Sequence, residues 1–163
     1  MSESKGVKVG DLMHENLVSV ESNALVIEAI NAMINHEIGS VIVTRYGIPV
    51  GIVTEHDCHQ KVCGKLDCSC RTISVEEIMA TPLITIDSNA SLFNAAQLMH
   101  DHNIRHLLVS RNGRIVGIIT QTDILTKINE LFLDLASYLT SSKLKDYSSQ
   151  APPQPKWATA ESF

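Results

Sequence analysis

The sequence predicts a mixed α+β fold: two tandem β-α-β-β-α repeats packed as a pseudo-two-fold pair, followed by a C-terminal helix. Three observations carry this. Residues 9–58 align with residues 75–124 at a constant offset of 66, without a gap and with 18 identities in 50 pairs. Apolar residues in both copies switch from a helical to a strand period at the same places. Both copies set a turn signal between two apolar strands, Gly47 in the first and Asn112-Gly113 in the second. Asn-Gly tolerates the positive φ angles that a tight hairpin needs.

Each copy opens on a short extended segment, residues 17–20 or 83–86. Ser22-Asn23 and Ser88-Asn89 follow, and their side chains suit helix N-caps. A helix of about 13 residues comes next. Its apolar stripe is Val26, Ile27, Ile30, Met33 and Ile34 in the first copy, and Leu92, Phe93, Ala96 and Met99 in the second. Strands are expected over 41–44 and 50–54, and over 107–110 and 115–120. A second helix starts after each Thr-x-x-Asp. A unit of about 50 residues is too small to cover both faces of its sheet, so two copies should pack together. The expected boundaries are 7–70 for the first repeat, 71–130 for the second, 131–147 for a helical extension and 148–163 for a flexible tail. Ile124, Leu125, Ile128, Leu131, Phe132, Leu135 and Leu139 continue the last helix at near-helical spacing. That helix either caps its own domain or contacts a partner. Trp157 and Phe163 lie in the Pro-rich tail.

Composition narrows the function. Hydrophobic residues are 44% and charged residues 19%, enough apolar material for a core. Aromatics are only 4%, so aliphatic side chains must build it. The net charge of −5 argues against non-specific nucleic-acid binding, which needs basic surface. No apolar run approaches the roughly 18 residues of a membrane span. The first six residues carry no apolar signal core, so a cytoplasmic setting with reduced thiols is expected.

The doubled pattern resembles a tandem pair of cystathionine-β-synthase (CBS) domains, a Bateman module, over roughly residues 7–130. The residues that carry the resemblance are Asp11-Leu12-Met13 and Glu77-Ile78-Met79, the run from Ile104 to Val109, and two closings, Gly51-Ile52-Val53-Thr54-Glu55-His56-Asp57 and Gly117-Ile118-Ile119-Thr120-Gln121-Thr122-Asp123. The resemblance implies a regulatory module with no catalysis and no required cofactor. Its implied regulatory ligand is an adenosine nucleotide or derivative: AMP, ADP, ATP, S-adenosylmethionine or a cyclic dinucleotide. It also implies a homodimer, with contacts near the helices that begin at Glu55 and Gln121, and signalling to a regulated protein. A larger adenosine cofactor such as coenzyme A is an alternative.

The residues fit that implication chemically. A Thr and an Asp three apart, where a strand enters a helix, present a hydroxyl, free N–H groups and the positive end of a helix dipole. The carboxylate suits ribose hydroxyls, and plain helix capping explains the same pair. The resemblance implies two clefts, each joining one repeat's closing to the other repeat's opening and middle. The first would hold Ile52, Thr54 and Asp57 against Met79, Leu83, Ile84, Ile104, Arg105 and His106. The second would hold Ile118, Thr120 and Asp123 against Met13, Leu17, Val18, Ile38, Gly39 and Ser40. Arg105-His106 replaces Gly39-Ser40, so the first cleft is expected to prefer phosphorylated ligands and the second to stay empty or take a less charged one.

Cys58, Cys63, Cys68 and Cys70 cluster near His56 and His59, but without a Cys-x-x-Cys knuckle. Buried thiols, a redox pair, and a metal or cluster site are the three readings; no metal is the expectation, and a metal- or redox-responsive interaction protein using this cluster is the alternative function. The sequence contains no P-loop, His-Glu-x-x-His or Ser-His-Asp arrangement, which favours a sensor over an enzyme.

Overall fold

The computed structural model describes residues 6–63 and 71–149. The first repeat contains β1 (Ser19–Glu21), α1 (Val26–His36), β2 (Ser40–Arg45), β3 (Ile48–Thr54) and α2 (Glu55–Cys58), with a π turn over His59–Cys63. The second contains β4 (Thr85–Asp87), α3 (Leu92–Asp101), β5 (His106–Arg111), β6 (Arg114–Thr120) and α4 (Gln121–Ser149). Each repeat folds one three-stranded sheet. β1 runs parallel to β2 and β2 antiparallel to β3, and β4, β5 and β6 repeat this order. Ile42 pairs with Ile52 and Leu108 with Ile118. Both hairpins turn through two positive φ angles, 55° and 74° at Tyr46-Gly47 and 53° and 75° at Asn112-Gly113. That geometry matches the right-handed twist of the strands it joins.

The two repeats interlock through their openings. Val9 N–H donates to Ala90 O at 2.9 Å and Gly10 N–H to Ser88 O at 2.8 Å, so the turn over Val9–Asp11 docks on the second repeat. Val75 N–H donates to Ala24 O at 2.8 Å and Glu76 N–H to Ser22 O at 3.2 Å, docking the turn over Val75–Glu77 on the first. Val9 accordingly lies in the second core, with Leu107, Val109 and Ile119. Val75 and Ile78 lie in the first, with Val41, Val43 and Val53. Burying such side chains stabilises by about 1.5–3 kcal/mol each, so each core depends on its neighbour's opening.

This exchange corrects the expected caps. Ser22 and Ser88 are buried, and their carbonyls hold the exchanged openings. The helices start later, at Val26 after Leu25 and at Leu92 after Ser91, whose hydroxyl accepts from Asn94 N–H at 3.1 Å. The buried stripe is also narrower than expected. Val26, Ala29 and Met33 face the first core, and Ala95 and Met99 the second. Ile34 and Phe93 fall outside that arc and are 68% and 72% exposed; Ala96 is exposed too.

Residues through Ile124 form one compact unit, and α4 from Leu125 onward forms a second. Leu125, Ile128, Phe132, Leu135 and Leu139 of α4 are exposed, at alternating spacings of three and four. Cys58 is buried in the first core, where a small hydrophobe fits. Cys68, Cys70, the side chain of Cys63 and the tail residues Trp157 and Phe163 lie outside the described residues.

Candidate functional site

Both Thr-x-x-Asp sequences form the same hydrogen-bonded box. Thr54 donates to Asp57 Oδ2 from its N–H at 3.0 Å and from its hydroxyl at 2.6 Å. Asp57 N–H returns a bond to Thr54 Oγ1 at 3.2 Å. Thr120 and Asp123 repeat this at 2.8, 2.7 and 3.2 Å. Each box caps its helix and consumes Oδ2. The other oxygen, Oδ1, is left for a second partner.

That partner differs between the repeats. Lys61 Nζ lies 2.8 Å from Asp57 Oδ1 and donates to Ile78 O at 2.7 Å. It therefore joins the closing of the first repeat to the opening of the second. Its counterpart in the repeat, Lys127, pairs with Glu130 at 2.9 Å. Asp123 Oδ1 instead meets His14 Nε2 at 3.0 Å, and the His14 ring is largely exposed. Burial pushes both carboxyls up. For Asp57 the bonds from Lys61 and Thr54 outweigh it, and for Asp123 those from Thr120 and His14, so both sit below the ordinary carboxylate value.

A cavity of about 360 Å³ opens beside Thr120. Leu17, Val18, Ile38, Ile42 and Ile118 form its apolar walls, and Asn16, Ser40, Thr120 and two histidines add polar groups. It gathers seven residues expected of the second cleft: Leu17, Val18, Ile38, Gly39, Ser40, Ile118 and Thr120. Met13 is not in the lining; it packs over Gly117, where an added Cβ would meet Met13 Sδ at 2.8 Å. Asp123 stands next to the lining through Thr120 and His14.

His106, expected in the first cleft, lines the cavity beside Thr120. β5 begins at His106, which pairs in register with Thr120, and its Nε2 lies 3.8 Å from where a Cβ on Gly39 would stand. Burial and the charge of Arg105 lower its pKa, against the opposing charges of Asp123, Glu55 and Asp57.

The remaining first-cleft residues are dispersed in role. Ile52 is paired through its backbone with Ala80, and an added Cβ on Gly51 would meet Met79 Sδ at 2.5 Å. Ile84 and Ile104 pack on the second core, Leu83 is half-buried and the Arg105 side chain is exposed. Sequence reasoning missed His14, Asn16, Glu37, Ile42 and Lys61. The lysines at the fourth residue after both Asp57 and Asp123 were a usable signal for Lys61. No group of three metal-ligating side chains occurs among the described residues. Among the same residues, no helix is long and apolar enough to cross a membrane.

The CBS-domain family model matches residues 9–63 and 75–130. An uncharacterised protein of Methanopyrus kandleri is 34% identical over 123 residues, which are 74% of this chain; the match spans 62% of that relative's length. A CBS-domain pair solved in complex with 5′-methylthioadenosine and S-adenosyl-L-methionine is 27% identical, with a TM-score of 0.67, over 76% of this chain and 97% of that one. A hexameric CBS-CP12 protein from bloom-forming cyanobacteria is 26% identical, with a TM-score of 0.70, over 93% of both chains. Two matched repeats, with the openings exchanged between them, identify this chain as a member of the CBS-domain family that carries a tandem pair.

Proposed function

We propose that this protein is a non-catalytic regulatory module that binds an adenosine-containing ligand in its second cleft and passes the ligand state to a partner protein. The observation that carries the reading is the cavity itself. Five aliphatic side chains stand beside a Thr hydroxyl and a carboxylate that has one oxygen outside its own capping box. Aliphatic walls suit the faces of an adenine ring, and a carboxylate oxygen accepts from a ribose hydroxyl. The volume falls in the range of about 300–1,000 Å³ usual for small-molecule sites.

The lining includes Glu37 and no lysine or arginine. That balance favours an uncharged or sulfonium adenosine derivative over a polyphosphate. The neighbour solved with 5′-methylthioadenosine and S-adenosyl-L-methionine supports the same class. A ligand there would touch the opening of one repeat and the closing of the other, so its binding energy favours one packing of the pair over others. The exposed apolar row on α4 supports a homo-oligomer, and the reading sets the protein in the cytoplasm.

The experiment is a thermal-shift screen with 5′-methylthioadenosine, S-adenosylmethionine, AMP, ADP and ATP. A ligand at 100 times its Kd stabilises by about 2.7 kcal/mol. The first two ligands should raise the melting temperature of the wild type and leave Asp123→Ala unmoved. A flat screen on the wild type contradicts the reading.

A further inference from the structure

Lys61 hydrogen-bonds to both walls of the first cleft. Its ammonium sits 2.8 Å from Asp57 Oδ1 on one wall and 2.7 Å from Ile78 O on the other. Asp57 Oδ1 is the oxygen that the Thr54 box leaves outward, so Lys61 holds the acceptor a ribose hydroxyl would need. Ile78 belongs to the exchanged opening and is buried in the first core, so its carbonyl is a fixed anchor. In the second cleft the equivalent contact is made by His14, on a side chain 62% exposed. Rotating an exposed imidazole away loses one hydrogen bond. Removing Lys61 breaks a charge-assisted bond and a second bond together, and leaves the Asp57 carboxylate, 13% exposed, without its counter-charge.

We propose that Lys61 is the residue that decides which cleft takes the ligand: it straps the first cleft shut, so that each chain binds one adenosine ligand, in the second. The proposal rests on the reading that the second cleft is an adenosine site. It also reverses the expectation that Asp57 and Arg105 mark the main site, since the added cation closes that cleft.

The test is equilibrium dialysis of the full chain with 5′-methylthioadenosine and, separately, ATP. Wild type should saturate at one 5′-methylthioadenosine per chain. Asp123→Asn should lose it, and Asp57→Asn should keep it. Lys61→Met should bind two, with the added site lost in the Lys61→Met/Asp57→Asn double variant. Lys61→Gln, which is polar but shorter and uncharged, serves if Lys61→Met does not fold, and should also admit a second ligand. Two ligands on wild type overturn the strap. So does a Lys61→Met or Lys61→Gln protein that still binds one. Loss of ATP binding on removing Lys61 overturns it by making Lys61 a phosphate ligand. If Asp123-dependent binding holds while Lys61 variants change nothing, only the strap fails. If neither wild type nor any variant binds, the adenosine reading fails and takes the strap with it.

Discussion

His14 Nε2 lies 3.0 Å from Asp123 Oδ1, and this contact ties the opening of the first repeat to the closing of the second. The backbone beside it is tied as well: His14 N–H donates to Ile118 O at 2.8 Å and Ile118 N–H to His14 O at 3.0 Å. The second cleft is therefore built from two segments more than a hundred residues apart, 109 between His14 and Asp123. A ligand hydroxyl bonded to Asp123 Oδ1 would share that oxygen with the imidazole or displace it.

Gly117 makes that approach possible. A Cβ there would stand 2.8 Å from Met13 Sδ and 3.0 Å from the backbone oxygen of His14. The Met13 thioether can turn aside, but His14 O is held by Ile118. Gly117→Ala should destabilise by about 1–3 kcal/mol, as overpacking does. Chemical denaturation measures it, and an unchanged midpoint would contradict the close approach.

His106 should make stability pH-dependent. Its folded pKa lies below the ordinary 6.5, so the unfolded chain binds the proton first as pH falls. Stability should decrease as pH drops from about 6.5 toward the lowered value, then level off. Arg105, Glu55, Asp57 and Asp123 set the local field. His106→Gln should flatten this part of a plot of melting temperature against pH; an unaltered slope would assign the effect elsewhere.

Asp57 contributes at the acid end with the opposite charge logic. Its folded pKa is below 3.8, so its contribution is complete above that pH and is lost as pH falls through the folded value. Asp57→Asn should cost about 1.5–3 kcal/mol at neutral pH, the range for hydrogen bonds to a charged group. Lys61 is more than a third exposed, so the ion pair itself accounts for the smaller share. Urea melts at pH 7 and near pH 3 should show the gap between variant and wild type narrowing in acid.

Several of these features were legible in the sequence, and the reasons differ. Asn112-Gly113 announced its hairpin because positive φ is a local demand. The constant offset revealed the pair because duplication preserves spacing. Ser22 and Ser88 misled because their backbone groups serve the other repeat's opening, a long-range pairing that no capping preference records. Seven residues that the family resemblance implies for the second cleft line the cavity beside Thr120, and His106 lines it too, at a place that depends on how β5 meets Thr120. Lys61 was visible as a spacing and invisible as a contact.

The exposed row of α4 carries a prediction of its own. Leu125, Ile128, Phe132, Leu135 and Leu139 follow the alternating three-four spacing of a helix seam. If copies associate through it, Ile128→Glu with Leu135→Glu should lower the mass seen by light scattering to that of one chain. The melting temperature of the repeats should change little, because these side chains are solvent-exposed. An unchanged oligomer would move the interface elsewhere.

The most direct measurement is isothermal titration of 5′-methylthioadenosine into wild type, Asp123→Asn and Asp57→Asn. Wild type should show one site, retained by Asp57→Asn and lost by Asp123→Asn. Binding that survives Asp123→Asn and disappears in Asp57→Asn would contradict it.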